Sequence, residues 1–292
     1  MVNGYAPKTL AEALDLRGKY DLVLYAGGTD LMVENRPNVS YLFLGKLPEL
    51  KTIREDAAYI RIGATVTYTE ALASDLVPQF MKEAISRIAA PAIRNAGTFG
   101  GNLGNGSAKA DSVLIEFVTG AKLKLLSAKG ERIVDVEKFY LGRKKLDLAS
   151  DEIIAEILLS KAGINDYYYK KVGGRNALAI SRVSFAGILS VENGIITRFS
   201  AGFGAVADTV LRFRDVETML VGGGKGDQAG AAEGLRRKAG ADSWPRQCRV
   251  PQDRLHESAG RFPDGKGHLS QYKNPLCKQH RGFLYQLMKN VA

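Results

Sequence analysis

The spacing of apolar residues changes along the chain, and each change predicts an element. Leu10, Ala13, Leu14 and Leu16 recur at helical spacing behind Thr9-Leu10-Ala11-Glu12, which reads as a capping box, and Lys19-Tyr20 ends that helix. Asp21 to Ala26 and Ser40 to Leu44 are apolar runs of buried-strand type, and Tyr59 to Gly63 alternates as a third strand. Thr67-Tyr68-Thr69-Glu70 is a second capping box, and Val77 to Ile88 is helical up to Pro91. Asp111 to Thr119 is apolar enough for a buried helix. Ala121 to Ser127 and Glu131 to Val134 pair around Lys129-Gly130. Ile153 to Ser160, Tyr167 to Val172, Ala179 to Val191 and Ile195 to Val206 read as strands, with Glu192-Asn193-Gly194 as the hairpin turn between the last two. Ala207 to Leu220 reads as a helix. The order, mixed elements first and strands later, is that of an α+β protein with a division near 172–178.

Past Gly222 the pattern stops. Residues 223–269 are rich in Gly, Arg, Asp and Ser and poor in aromatic or β-branched residues, a composition that buries little apolar surface. Helical patterning returns at Phe283 to Met288.

Charge divides at the same place. Of the net +10, residues 1–222 contribute 28 basic against 25 acidic side chains, and residues 223–292 contribute 13 against 6. The body therefore carries no basic stripe of the kind that binds nucleic acid. Trp244, Cys248, Cys277, His256, His268 and His280 all lie past Gly222, so residues 1–222 contain no Trp, Cys or His. Zinc or iron–sulfur sites on Cys or His, and Cys or His bases, are thereby excluded from the body. No apolar run reaches the ~20 residues of a membrane span. The first residues lack a basic segment followed by an apolar one, and the expected location is the cytoplasm.

The candidate chemistry lies in two glycine-paired stretches. One is Tyr25-Ala26-Gly27-Gly28-Thr29-Asp30-Leu31. The other is Ile93-Arg94-Asn95-Ala96-Gly97-Thr98-Phe99-Gly100-Gly101-Asn102. Glycine permits positive φ and close approach of the main chain to a ligand, and successive amides in such turns form a concave anion site. Two of them suit one diphosphate gripped from both sides. Neither is a P-loop, and Gly222 to Lys225 lacks that spacing too.

Together and in this order, the two stretches resemble those of the flavin-binding medium subunit of molybdenum hydroxylases, the group of xanthine, nicotinate and carbon monoxide dehydrogenases. The likeness runs from about Tyr5 to Gly222. It implies a p-cresol-methylhydroxylase (vanillyl-alcohol-oxidase) type FAD-binding domain of two α/β subdomains over 1–172, then a smaller α+β domain over 173–292, atypical over 223–270. It implies FAD held by Leu24, Tyr25, Ala26, Gly27, Gly28, Thr29, Asp30 and Leu31 from one side and by Thr98, Phe99, Gly100, Gly101 and Asn102 from the other. Asp111 matches a carboxylate on the cofactor's sugar portion, Ile154 an apolar contact, and Lys171 a lysine near the isoalloxazine; Ile88 is a further apolar neighbour. It implies partner chains: a molybdopterin-binding large subunit and a [2Fe-2S] small subunit, with NAD+ or another acceptor taking the electrons.

The residues alone leave alternatives. Asp30 and Asp111 also suit helix caps. Lys171, beside Lys170, also suits a solvated surface. Tyr167-Tyr168-Tyr169 is a flavin shield or strand packing, and Arg94 orients the diphosphate loop or pairs with an acid. A free-standing flavin oxidoreductase and a flavin-free assembly protein of the same fold are the competing functions.

Overall fold

A computed structural model describes residues 3–222, apart from 35–37, 165, 176–177 and 194. The tail readings over 223–292, including the helix at Phe283 to Met288, lie outside the described residues, as do Asn176 and Gly194.

The chain opens with β1 (Gly4–Tyr5), α1 (Leu10–Lys19), β2 (Val23–Tyr25), α2 (Leu31–Glu34) and β3 (Tyr41–Phe43). The strands form a parallel sheet in the order β1-β3-β2. Thr9 caps α1 by accepting the Glu12 amide. The reciprocal half of the expected box is displaced by one residue, because Glu12 accepts from the Lys8 amide. Ala13, Leu22, Leu42 and Leu44 seal this subdomain against Ile153 and Ala155 of the next.

The second subdomain comprises β4 (Ile53–Glu55), β5 (Tyr59–Gly63), α3 (Tyr68–Ala73), α4 (Gln79–Ser86), α5 (Pro91–Ala96), α6 (Phe99–Gly104), α7 (Asp111–Thr119), β6 (Lys122–Ser127), β7 (Gly130–Asp135), α8 (Val136–Phe139), β8 (Tyr140–Gly142), β9 (Lys145–Leu146) and β10 (Ile153–Ser160). Its five-stranded antiparallel sheet runs β4-β5-β10-β6-β7. At α3 both halves of the capping box are made. All nine residues of α7 are buried, the polar Asp111, Ser112, Glu116 and Thr119 included, and it ends at Gly120 in the left-handed conformation (φ 66°).

The last described part is β11 (Asp166–Gly173), β12 (Ser181–Glu192), β13 (Ile195–Gly204), β14 (Leu211–Arg212) and α9 (Arg214–Leu220), with the strands antiparallel in that order. β11 pairs with β12 from Asp166 to Gly173, so the strand expected at Tyr167 to Val172 belongs to this sheet. α7 packs on β12 and β13 and joins the two parts.

Two expectations are corrected. Ala207 to Leu220 is not one helix: Leu211–Arg212 is a strand on Gly202 and Phe203, and the helix starts at Arg214. The buried Arg212 guanidinium bonds Glu217, Glu137, Ser200 and the Phe117 carbonyl, and this network holds the segment extended. The second glycine pair is not a bend. Gly100 and Gly101 lie within α6, behind the N-cap Thr98.

Candidate functional site

The two glycine stretches meet. A Cβ on Gly27 would lie 1.9 Å from the Ala96 carbonyl oxygen and 3.2 Å from the Gly97 Cα, so only glycine permits this approach of one main chain to the other. Gly28 supplies the turn, at φ 68°, with the Tyr25 ring folded back over it. The junction forms one wall of a cleft of about 740 Å³.

Of the expected site residues, the cleft is lined by Leu24, Ala26, Gly27, Gly28, Thr29, Asp30, Leu31, Thr98, Gly101, Asn102, Asp111, Lys171 and Ile88. Four are not part of its lining. Tyr25 packs on Tyr41 and Phe43. Phe99 is fully buried against Tyr68. Gly100 packs on Ala64, whose Cβ would lie 2.6 Å from an added Cβ. Ile154 is a core residue of β10, paired with Leu125 of β6.

The loops differ in what they offer. Among the described residues, the amides of Gly27, Gly28, Thr29 and Asp30 have no acceptor, and the Thr29 hydroxyl has no partner. In the second stretch the amides are already used: Phe99 donates to the Val66 carbonyl, Gly100 to that of Ala64, Gly101 to the Thr98 hydroxyl and Asn102 to the Thr98 carbonyl. The expectation of amides free on both sides therefore holds for the first stretch alone. The second contributes side chains, Thr98 and Asn102, and the close approach at Ala96–Gly97.

Two hydrogen-bonded clusters flank the junction. In one, Asn105 donates to Asp30 (2.8 Å), and Lys144 donates to Asn105 (2.5 Å) and to Glu34 (3.0 Å). Asp30 thus bonds the end of α6 instead of capping α2. In the other, Asp111 accepts from Lys171 (2.7 Å) and from the Ser181 hydroxyl (2.8 Å), and Lys171 also donates to the Arg87 carbonyl (3.0 Å). The Asp111 and Lys171 side chains are only 5% and 10% exposed. Asp111 is therefore not a cap and Lys171 is not a solvated lysine. They tie α7 to β11 and β12 beneath the cleft.

Between the clusters, Asn102 donates to the Ser112 hydroxyl (2.8 Å), which lies 3.4 Å from the Tyr68 hydroxyl. One turn further along α7, Glu116 is fully buried, with neither carboxylate oxygen bonded. Desolvation pushes its carboxyl up to about 8, so it is neutral at neutral pH. Burial likewise raises the Tyr68 phenol. Tyr167 and Tyr168 pack on Phe80 and Phe185, and Tyr169 lies under Arg87; the tyrosine run is strand packing.

Asn105, Lys144, Ser181, Ala89 and Ile180 line the cleft but were not singled out by the sequence. Gly104-Asn105-Gly106 and Arg143-Lys144-Lys145 carried a weak signal, as a turn and a basic cluster; Ser181 carried none. Among the described residues no group of three or more His, Cys, Asp or Glu is arranged to hold a metal. No helix among them is long and apolar enough to cross a membrane.

The chain is similar to known proteins over most of its length. Residues 1–160 match the family described as the FAD binding domain in molybdopterin dehydrogenase, and residues 167–242 match the CO dehydrogenase flavoprotein C-terminal domain. The nicotinate dehydrogenase FAD-subunit of Eubacterium barkeri is 32% identical over 234 residues, covering 75% of this chain and 79% of its own. The xanthine dehydrogenase FAD-binding subunit of Escherichia coli O157:H7 is 32% identical over 222 residues, covering 72% and 75%. Among solved structures, reconstituted CO dehydrogenase from Oligotropha carboxidovorans superposes with a TM-score of 0.74 at 26% identity, covering 81% of this chain and 87% of that one.

Proposed function

Since the chain belongs to the family of FAD-binding subunits of molybdenum hydroxylases, we propose that it relays electrons, from iron–sulfur clusters on a partner chain, through FAD to NAD+. The single observation that carries this reading is the set of unpartnered amides from Gly27 to Asp30, set where the two glycine stretches touch. Amide donors at a cleft suit a diphosphate, and Lys109 in the same lining adds positive charge. Ile88, Ile93 and Ile180 supply apolar surface suited to a flat ring system. The donors present thus fit FAD.

In this reading the first loop and the Thr29 hydroxyl hold the diphosphate, and Thr98, Gly101 and Asn102 bound it on the second side. Leu24, Ala26 and Leu31 flank the nucleotide. Asp111 and Lys171 act by fixing the cleft floor, with Asp111 facing the sugar portion. Tyr25, Phe99, Gly100 and Ile154 support these residues from behind. When bound, FAD supplies two-electron acceptance and onward transfer.

The proposed assembly pairs this chain with a molybdopterin-binding large subunit and a [2Fe-2S] small subunit in the cytoplasm. The names of its relatives, which are subunits, support that assembly, as does a body without Cys or His to hold clusters of its own. An acceptor other than NAD+ is the alternative. We place the division between the two domains within 161–166 and not at 172, because β11 pairs with β12 and the two family matches meet there.

The test is the visible spectrum of the purified chain, alone and with its co-purifying partners. Stoichiometric oxidised flavin, bleached by reduced partner and restored by NAD+, supports the reading. A folded chain without flavin sinks it and favours an assembly role.

A further inference from the structure

Arg94 faces neither a diphosphate loop nor an acid. Its guanidinium donates to two successive carbonyls, those of Ile88 and Ala89, each at 2.8 Å. The carbonyls on either side are taken as well. Lys171 bonds that of Arg87 at 3.0 Å, and the Arg94 amide bonds that of Ala90 at 3.1 Å. Four consecutive carbonyls, from Arg87 to Ala90, therefore each accept a hydrogen bond from within the protein. The amides of Ala89 and Ala90 have no acceptor among the described residues. The strap has a cost: Ala89 sits at φ 41°, left-handed for a residue with a Cβ. Ile88 and Ala89 line the cleft, and Ala90 and Arg94 do not.

We propose that Arg94 is a positioning residue that locks the 87–90 strap, so that this wall turns its carbonyls to the protein's own cations and offers the bound flavin the Ala89 amide as a donor. This rests on the FAD reading above. Reduced flavin carries more electron density on its ring nitrogens and carbonyl oxygens than oxidised flavin, so a donor on this wall favours reduction, and free carbonyls oppose it. The two cations holding the strap come from different parts of the chain, Arg94 from α5 and Lys171 from β11, so the wall is fixed jointly by both.

The experiment compares Arg94→Met and Arg94→Gln with the wild type, each as the full chain loaded with FAD. Three quantities are read: FAD dissociation constant, visible band shape and flavin reduction potential. In the variants the potential moves to a more negative value and the band shape changes, more in Arg94→Met than in Arg94→Gln. Affinity, set at the first loop, falls less than about tenfold. Wild-type potential and spectrum in a folded variant overturn the inference, and Arg94→Gln decides if Arg94→Met does not fold. Complete loss of FAD by a folded variant also overturns it, because Arg94 would then belong to the grip on the diphosphate. A wild-type chain that takes up no FAD removes the underlying reading, whereas wild-type binding with unchanged variants removes this inference alone.

Discussion

Gly27→Ala tests the contact on which the cleft depends. The added methyl would stand 1.9 Å from the Ala96 carbonyl oxygen, and ordinary contact begins at 3.4 Å, so the two main chains must part by about 1.5 Å. The obstacle is backbone, and no rotamer change relieves it. Overpacking of this kind costs about 1–3 kcal/mol. If the first loop yields, the cost appears at the site as a loss in FAD affinity of about 5- to 150-fold. If the fold absorbs it, the melting temperature of the FAD-free chain falls by about 2–4 °C per kcal/mol. Titration of FAD into the variant, followed by flavin fluorescence, together with thermal melts of both forms, separates the two. A variant that binds FAD within twofold of wild type and melts at the same temperature would refute the claimed contact between the loops.

Gly18, exposed in α1 with nothing within 4 Å of an added Cβ, is the control: Gly18→Ala is expected to stabilise by about 0.5–1 kcal/mol without changing FAD affinity. Asp111→Asn leaves Lys171 buried without its counter-charge. It is expected to cost about 3–5 kcal/mol of stability in urea even without FAD; intact FAD-free stability with weakened FAD binding would make Asp111 a direct ligand instead. Glu116 predicts a pH dependence opposite to that of a paired carboxylate. Its folded form keeps a proton up to about pH 8, while the unfolded chain releases it near the ordinary carboxyl range. Between these values its contribution lowers stability as pH rises, by up to ~1.4 kcal/mol per pH unit. Glu116→Gln should remove that slope, and melts at pH 5 and 8 check it.

The elements with sustained patterns were legible in the sequence. The capping box at Thr67, the buried helix from Asp111 and the hairpin at Asn193 each have a local physical cause, and they form as expected. What escaped has tertiary causes. β1 and β14 are two residues long and exist through their partners. α5 and α6 are six residues each, too short for periodicity to mark. At the site, the glycine pairs indicated a ligand, but their division of labour did not follow from sequence. Gly27 and Gly100 look alike in a string of letters, yet one abuts Ala96 at the cleft and the other packs behind it on Ala64. The same limit applies to Arg94, whose partners are carbonyls, which no sequence pattern distinguishes.

In the proposed function, main-chain donors from Gly27 to Asp30, braced by the second glycine stretch, hold the diphosphate of FAD. A crystal structure of the full chain with FAD tests it most directly. The expected result is phosphate oxygens within hydrogen-bond distance of those amides and the flavin ring near Ile88 and Ala89. A diphosphate bound elsewhere, with the Gly27–Asp30 amides facing solvent, would contradict it.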